Sequence, residues 1–206
     1  MTGLQEPPRA PTKGERTRER LLKVAVARFG THGYRATSVS QLSRDAGLTP
    51  AAAYAYFDDK ETFWRSAIDT DLNSMRIEVV ASSASGERPI VDYMFALVEG
   101  LRGHALARRV LVEGTPNDLQ QVVTHPLFAA TTRLVAEALA RRQAAGVLPA
   151  DAKPEQLALA METVSFALVL AVVRAGMEGM GERVASVVEL MEAAMGGPPT
   201  ASERLR

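Results

Sequence analysis

Residues 36–57 of the chain read ATSVSQLSRDAGLTPAAAYAYF. Ser38 and Gln41 have capping-box spacing, so the serine hydroxyl can accept a backbone N–H while the glutamine side chain reaches back to the cap. Gly47 supplies a turn, and Thr49-Pro50 then offers an N-cap followed by a proline that suits the first turn of a helix. The stretch therefore predicts two short helices joined as a helix-turn-helix, whose second helix presents its N-terminus to a groove.

Helical patterns continue on both sides of this motif. Upstream, apolar residues recur at helical spacing from Leu21 to Phe29, and Gly33 ends that helix. Downstream, Asp58-Asp59-Lys60-Glu61 starts a longer helix, with its first and last residues at capping-box spacing. We predict a helix-turn-helix domain over residues 16–62, after a proline-containing arm at 1–15 that we expect to be disordered.

The remainder of the chain shows only helical signals. Five segments with helical periodicity are separated by glycine or proline: Pro89–Gly103, His104–Gly114, Pro126–Gly146, Pro154–Gly176 and Glu182–Gly196. No segment alternates with the period of two that marks a strand. The predicted fold class is all-α, with a second helical domain over residues 63–196 and a flexible tail at 197–206.

The composition excludes several classes of protein. The 206 residues contain no Cys and three His, which rules out a disulfide scaffold, a thiolate zinc site and a thiol nucleophile. The sequence has no paired nucleophile and base, no glycine-rich phosphate loop and no metal-binding cluster, so we expect neither enzymatic activity nor a cofactor. It has no apolar N-terminal stretch, and its longest uncharged apolar run, 163–173, is shorter than the ~20 residues of a membrane span. We expect a soluble cytoplasmic protein.

Charge is unevenly distributed, although Lys plus Arg and Asp plus Glu number 24 each. Residues 9–56 hold nine basic and three acidic side chains, whereas residues 67–206 hold 13 basic and 17 acidic ones. A basic front end on an acidic body favours an anionic partner at the N-terminal domain. The alternative is an ordinary solvated face of the first helix, and charge alone does not decide between the two.

The helix-turn-helix region resembles a known family. Six groups of residues, which are Phe29, Gly33-Tyr34, Ala36–Val39, Ala46–Thr49, Tyr54–Phe57 and Lys60-Glu61, occur in the order and spacing of the DNA-binding domain of the TetR family of bacterial repressors. The resemblance covers residues 16–66. It implies a homodimeric transcriptional repressor that binds a palindromic double-stranded DNA operator and is released by a small molecule.

The resemblance also implies roles for individual residues. Pro50–Tyr56 matches the recognition helix in the major groove, and Tyr54 and Lys60 match contacts to backbone phosphate. The residues it implicates in DNA binding are Thr37, Ser38, Gln41, Arg44, Thr49, Pro50, Ala51, Ala52, Tyr54, Tyr56 and Lys60. Thr37 and Ser38 match positions where a hydroxyl or a helix N-terminus meets phosphate. The alternatives are core packing for the two tyrosines and simple solvation for the lysine.

The recognition helix departs from the family pattern. Ala51 replaces the usual Gly and Ala52 the usual Thr or Ser, so the helix offers methyl groups that can contact only thymine methyls. Base readout must then fall on few side chains, among them Arg44, Gln41 and Thr49. We expect specificity to depend largely on phosphate register and DNA shape.

A dimer is predicted from the segment Leu157–Val173, which is apolar on nearly every face and must be covered on both sides. One side can pack in the domain core, and the other needs a partner chain unless the helix lies at the centre of a monomer. With the last helix it suits a two-fold four-helix interface, as the resemblance also implies. The predicted interface residues are Val164, Leu168, Ala171, Ala175, Val184, Val187, Val188 and Met191.

The resemblance further implies a pocket for a small, largely apolar ligand. Its candidate residues are Trp64, Met94, Phe95, Phe128, Met161, Glu162 and Phe166, and plain core packing is the alternative for the apolar ones. Glu162 would face either the ligand or an arginine at the interface. His104 and His125 are expected at the surface or at helix starts. The competing functions are an all-helical small-molecule-binding protein with weak or nonspecific DNA binding, and a protein that coats DNA without sequence preference.

Overall fold

A computed structural model of the chain describes residues 9–83, 89–176 and 178–195, with their side chains except those of 82–83 and 89–94. Over these residues it contains ten α-helices and no strand, which confirms the all-α fold class. The helices are α1 (Lys13–His32), α2 (Val39–Asp45), α3 (Pro50–Tyr54), α4 (Lys60–Ser83), α5 (Pro89–Gly103), α6 (Ala105–Glu113), α7 (Pro116–Val123), α8 (Pro126–Ala144), α9 (Pro154–Ala175) and α10 (Gly181–Ala194). The tail predicted at 197–206 lies outside the described residues.

The chain divides into two compact units, residues 1–70 and 71–206. The boundary lies inside α4, eight residues after the boundary predicted at 62/63. The reason is that the first turns of α4 supply core residues to the N-terminal unit, among them Phe63, Ala67 and Ile68.

Helix α1 begins at Lys13, so residues 13–15 are helical and do not belong to the predicted disordered arm. A capping box explains the early start, because the Thr12 side chain accepts the Glu15 N–H and the Glu15 carboxylate accepts the Thr12 N–H. The predicted end at Gly33 is confirmed, and its φ of 79° is one that glycine adopts without a Cβ clash.

The sequence spacing predicted that Asp58 caps helix α4, but the structure shows that Asp59 is the cap. The Asp59 Oδ1 accepts the backbone N–H of Thr62 at 2.7 Å. That backbone hydrogen bond holds the pKa of the Asp59 carboxyl below its ordinary value. Adjacent aspartates offer the same cap chemistry, and the local path of the chain decides which of them is used.

The apolar faces of α1 to α4 form the core of the N-terminal unit. The buried apolar residues are Leu21, Leu22, Ala25, Phe29, Val39, Leu42, Ala46, Ala53, Phe57, Phe63, Trp64, Ala67 and Ile68. Trp64 packs edge-on against Phe29 and Tyr34, with ring centroids 5.1 and 5.5 Å apart. Phe57 stacks on Phe63 at 3.9 Å. These aromatic contacts hold α1 and the segment after α3 against α4.

Helices α8, α9 and α10 share a core in the C-terminal unit. Its buried members are Val135, Ala138, Leu139, Ala158, Met161, Leu168, Val172, Met191 and Met195. Helix α9 also contacts α5 and α6.

By length and composition α9 could cross a membrane, since its most apolar 18-residue window has a mean hydropathy of 2.0. Only 22% of that window is buried. Much of this apolar helix is therefore uncovered in the single chain.

Candidate nucleic-acid interface

Helices α2 and α3 form the predicted helix-turn-helix, with the predicted start signals. Ser38 and Gln41 make both bonds of the capping box, and the Thr49 hydroxyl accepts the Ala52 N–H at 3.2 Å. The turn passes through Gly47, whose φ is 67°. Helix α3 ends at Tyr54, two residues before the predicted end at Tyr56, because the next residues form a tight turn.

The structure places most of the predicted DNA-contact residues on the surface of the N-terminal unit. Ser38, Arg44, Thr49, Pro50, Ala51 and Tyr54 are exposed, and Gln41, Ala52, Tyr56 and Lys60 are half-buried. Tyr54, at 51% exposure, is not a core residue. The Tyr56 hydroxyl lies beside Gly14, in the first turn of α1. The second tyrosine is thus used in part for packing inside the unit.

Thr37 was predicted to contact DNA, and the position of its side chain contradicts this. Its side chain is 2% exposed, and its hydroxyl donates to the Gly33 carbonyl at 2.9 Å. The hydroxyl therefore closes the turn between α1 and α2 and is not available to a phosphate. In the sequence Thr37 stands next to the exposed Ser38. Only the structure shows that the Thr37 side chain points inward.

Lys60 is held by a contact that the sequence analysis missed. Its ammonium lies 4.2 Å from the centroid of the Tyr34 ring, and the Tyr34 hydroxyl donates to the Glu61 carboxylate at 3.3 Å. A cation in the first turn of a helix is disfavoured by the helix dipole, and the face of an aromatic ring offsets this. The ring keeps the lysine at the start of α4, beside the end of the helix-turn-helix.

The C-terminal unit contains an apolar cavity of about 20 Å³. Its wall consists of apolar residues: Leu72, Met75, Leu97, Leu101, Ala107, Leu111, Val122, Phe128, Phe166 and Val169. Phe128 and Phe166 were predicted, and their rings meet edge-on at 5.4 Å. The other lining residues belong to the apolar stripes of five helices. Sequence periodicity identifies such stripes but not which of them converge.

Of the other predicted pocket residues, the four whose side chains the structure describes lie elsewhere. Trp64 belongs to the core of the N-terminal unit, Phe95 is 61% exposed, and Met161 packs in the α8–α10 core. Glu162 accepts a hydrogen bond from the Thr132 hydroxyl. The side chain of Met94 lies outside those the structure describes.

The predicted interface residues divide into two groups. Leu168 and Met191 are buried in the core shared by α8, α9 and α10, and Val184 and Val187 pack against it. These four contribute to packing within their own chain, because α8, α9 and α10 pack against one another through them. Of the remaining four, Val164 and Ala175 are exposed, and Ala171 and Val188 are half-buried.

A buried polar cluster joins α4 to the start of α6. The His104 Nδ1 lies 2.8 Å from the Asp71 carboxylate, and its Nε2 lies 3.2 Å from the Glu78 carboxylate. Asp71 also accepts the Ala107 N–H at 2.9 Å. Burial lowers the pKa of His104, but the hydrogen bonds and charges of the two carboxylates outweigh it and raise that pKa above its ordinary value.

Comparisons with known proteins agree with this geometry. Residues 21–66 match the model of the bacterial regulatory proteins of the tetR family. A stretch of 101 residues is 32% identical to the uncharacterized HTH-type transcriptional regulator YdgC of Bacillus subtilis, and it covers 49% of this chain and 45% of YdgC. The chain thus matches less than half the length of this curated relative.

Solved structures share the fold along most of the chain. The structure of SmeT, repressor of a Stenotrophomonas maltophilia multidrug efflux pump, has a TM-score of 0.59 at 20% identity and covers 89% of this chain and 92% of SmeT. The fatty acid degradation regulator FadR of Bacillus halodurans has a TM-score of 0.62 at 14% identity, with coverage of 94% and 99%. Residues 21–66 therefore form a helix-turn-helix domain of the tetR family of bacterial regulatory proteins.

Proposed function

We propose that the protein is a homodimeric, sequence-specific transcriptional repressor that binds a palindromic operator and leaves it when a small apolar ligand binds. The observation that carries the proposal is the capped helix-turn-helix of residues 38–54, whose outer surface exposes Arg44 and Tyr54. Repression would follow from occupation of the operator by the protein in the cytoplasm.

Contacts to phosphate would position α3 in the major groove. Tyr54 exposes its hydroxyl, and Lys60 holds its ammonium over the Tyr34 ring next to α3. Such contacts set register and orientation on the duplex without reading its sequence. The excess of basic side chains over residues 9–56 supports the same partner through its long-range field.

A second copy of the chain would cover the open side of α9. Ala160, Val164, Ala167 and Ala175 are exposed along that side, as is Leu159 at 57%. Their spacing forms one stripe of mostly small side chains, which lets two helices approach closely. A two-fold pair would present two recognition helices to half-sites about 34 Å apart or a multiple of that distance.

The apolar lining of the cavity supports an apolar ligand. A charged molecule placed there would lose its hydration without gaining hydrogen bonds from the wall, so an apolar one is favoured. At about 20 Å³ the cavity has room for little more than a water molecule, so a ligand must displace side chains. Met75 is the most adaptable of the lining residues. SmeT has been solved in complex with triclosan, which is precedent for a small ligand in a protein of this fold.

Helix α4 would couple ligand to DNA. It begins at Lys60, and it carries Leu72 and Met75 of the cavity wall about three to four turns later. A ligand that displaces these two side chains acts on the helix that also anchors the DNA contacts. Ligand and operator would then oppose each other through a single coupling free energy.

The methyl-rich surface of α3 favours a second candidate function. An all-helical small-molecule-binding protein with weak or nonspecific DNA binding would need no base-reading side chains, and Ala51, Ala52 and Ala55 offer none. Its DNA affinity would fall steeply with salt and show no operator preference.

Selection from a random duplex pool at near-physiological salt distinguishes these functions. We expect the wild type to enrich a palindromic sequence, and the variant Tyr54→Phe/Lys60→Ala to bind it roughly tenfold more weakly, about 1.4 kcal/mol. The control Lys23→Ala removes a charge from the exposed face of α1 and should have a smaller effect. Failure to enrich any sequence would support the second candidate function.

A further inference from the structure

We infer that base discrimination by hydrogen bonding rests on Arg44, which reads one guanine in each half-site of the operator. The inference rests on the proposed DNA-binding function and adds the chemistry of the base pair that the motif recognises. It follows from an inventory of which side chains in the helix-turn-helix are already occupied within the chain.

Most hydrogen-bonding side chains of the motif hold its own helices together. The Ser38 hydroxyl accepts the Gln41 N–H, and the Gln41 Oε1 accepts the Ser38 N–H at 2.8 Å. The Thr49 hydroxyl accepts the Ala52 N–H at 3.2 Å. Ser43 is fully buried, and its hydroxyl donates to a backbone carbonyl of α2. With its Oε1 held in the cap, Gln41 cannot pair its oxygen and its amide N–H with adenine together without uncapping α2, and the Thr49 hydroxyl has only a single donor left for a base.

Unlike these side chains, the Arg44 side chain does not hold the helices of the motif together. Within residues 39–54, all of which the structure describes, the charged residues are Arg44 and Asp45. The Asp45 carboxylate pairs with the Arg28 guanidinium of α1. Arg44 is exposed, and its guanidinium has no hydrogen bond or ion pair with any described residue. Leu42 and Ser43 are buried on the opposite side of α2, so the guanidinium points away from the core.

The remaining exposed groups of the motif discriminate bases poorly. Ser40 lies one turn before Arg44 on the same face of α2, and a single hydroxyl pairs with more than one base. Pro50 has no N–H, and Ala51 presents only a methyl group. An arginine fork, by contrast, donates two parallel hydrogen bonds to O6 and N7 of guanine, which offer this acceptor pair in the major groove.

Two simpler roles for Arg44 use its charge but not its fork. A cation in the last turn of α2 interacts favourably with the helix dipole, and a cation at this surface could contact phosphate. Lysine would serve both roles. A lysine ammonium can also approach guanine but lacks the planar fork, so Arg44→Lys measures what the fork adds, whereas Arg44→Ala removes the contact.

The test uses the duplex that the wild type enriches, with every base pair of one half-site exchanged in turn. In a second series each guanine is replaced by 7-deazaguanine, which lacks the N7 acceptor but keeps Watson–Crick pairing. Binding is measured for the wild type, Arg44→Lys, Arg44→Ala and the control Arg20→Ala, which removes an exposed charge from α1. Thermal unfolding of each variant verifies that it is folded.

We expect the wild type to lose roughly 5- to 150-fold in affinity at one guanine when either series alters it. Arg44→Ala should lose the preference at that position and retain it elsewhere, and Arg44→Lys should show a weaker preference there than the wild type. Arg20→Ala should change affinity for all duplexes alike.

An Arg44→Ala protein with the wild-type preference at every position would overturn the inference, as would an Arg44→Lys protein that discriminates against 7-deazaguanine as strongly as the wild type does. A wild type that enriches no duplex would reject the proposed function and this inference together. An operator whose preferences do not depend on Arg44 would reject the inference alone.

Discussion

His104 shows how much of a single side chain's role depends on residues far away in sequence. It occupies the N-cap position of α6 but makes no side-chain cap bond there. Asp71 of α4 caps the helix instead, and the imidazole bridges the two carboxylates of Asp71 and Glu78. Donating from both ring nitrogens requires the protonated imidazolium. The residue was expected at the surface or at a helix start, and it is at a helix start but buried.

The first prediction concerns the pH dependence of stability. Because the pKa of His104 is raised on folding, its contribution to the free energy of unfolding is complete below its ordinary value of 6.5 and is lost as pH rises through the folded value. We expect His104→Gln to lower the stability of the C-terminal unit by roughly 1.5–3 kcal/mol at low pH, and by less at high pH.

Denaturation midpoints of the wild type and His104→Gln, measured from below pH 6.5 to above the raised pKa of His104, test the prediction. His32→Gln is the matched control, since His32 is exposed at the end of α1. The cluster would have no electrostatic role if the two variants showed the same pH dependence.

The starts of α2 and α3 were predictable from the sequence, because a cap is a contact between residues three apart. Ser38 and Thr49 cap α2 and α3 as their spacing predicts. Helix α7 was missed, although Thr115-Pro116 and Asp118 carry the same signal and form a full capping box. Its eight residues hold too few apolar positions for periodicity to separate a helix from a loop.

The second prediction tests whether this missed cap stabilises α7. Thr115→Ala removes the acceptor for the Asp118 N–H and should lower the free energy of unfolding by about 1 kcal/mol. Thr124→Ala is the control at the other end of the same helix, where the hydroxyl donates to the Gln120 carbonyl and caps no N–H. We expect it to change stability by less than about 0.5 kcal/mol. Equal effects in chemical denaturation would contradict a specific capping role.

At the scale of the whole molecule, one side of α9 is an apolar surface that no other part of the described chain covers. The sequence required both sides of this helix to be covered, and the structure covers one side with α8 and α10. The exposed stripe that contains Ala160, Val164 and Ala167 remains, and it is the side on which we place the second copy.

The third prediction is that a charge on this stripe prevents dimerisation. Val164→Asp should raise the dimer dissociation constant by at least roughly 100-fold, since each copy would bury an unpaired carboxylate at about 3–5 kcal/mol. Sedimentation equilibrium measures the effect. Val147→Asp, at an exposed valine in the turn after α8, should leave the dimer intact. A Val164→Asp protein that stays dimeric would place the interface elsewhere.

Local signals were enough to predict the all-α class, the helix-turn-helix and the residues that cap it, because these features depend on neighbours within one or two turns. Contacts between distant segments set the rest: the inward direction of Thr37, the convergence of apolar residues from six helices on one cavity, and the burial of Leu168 and Met191. Periodicity shows that a helix has an apolar face but not which helix covers it. The packing of whole helices against one another therefore decided which side of α9 is core and which side is left open.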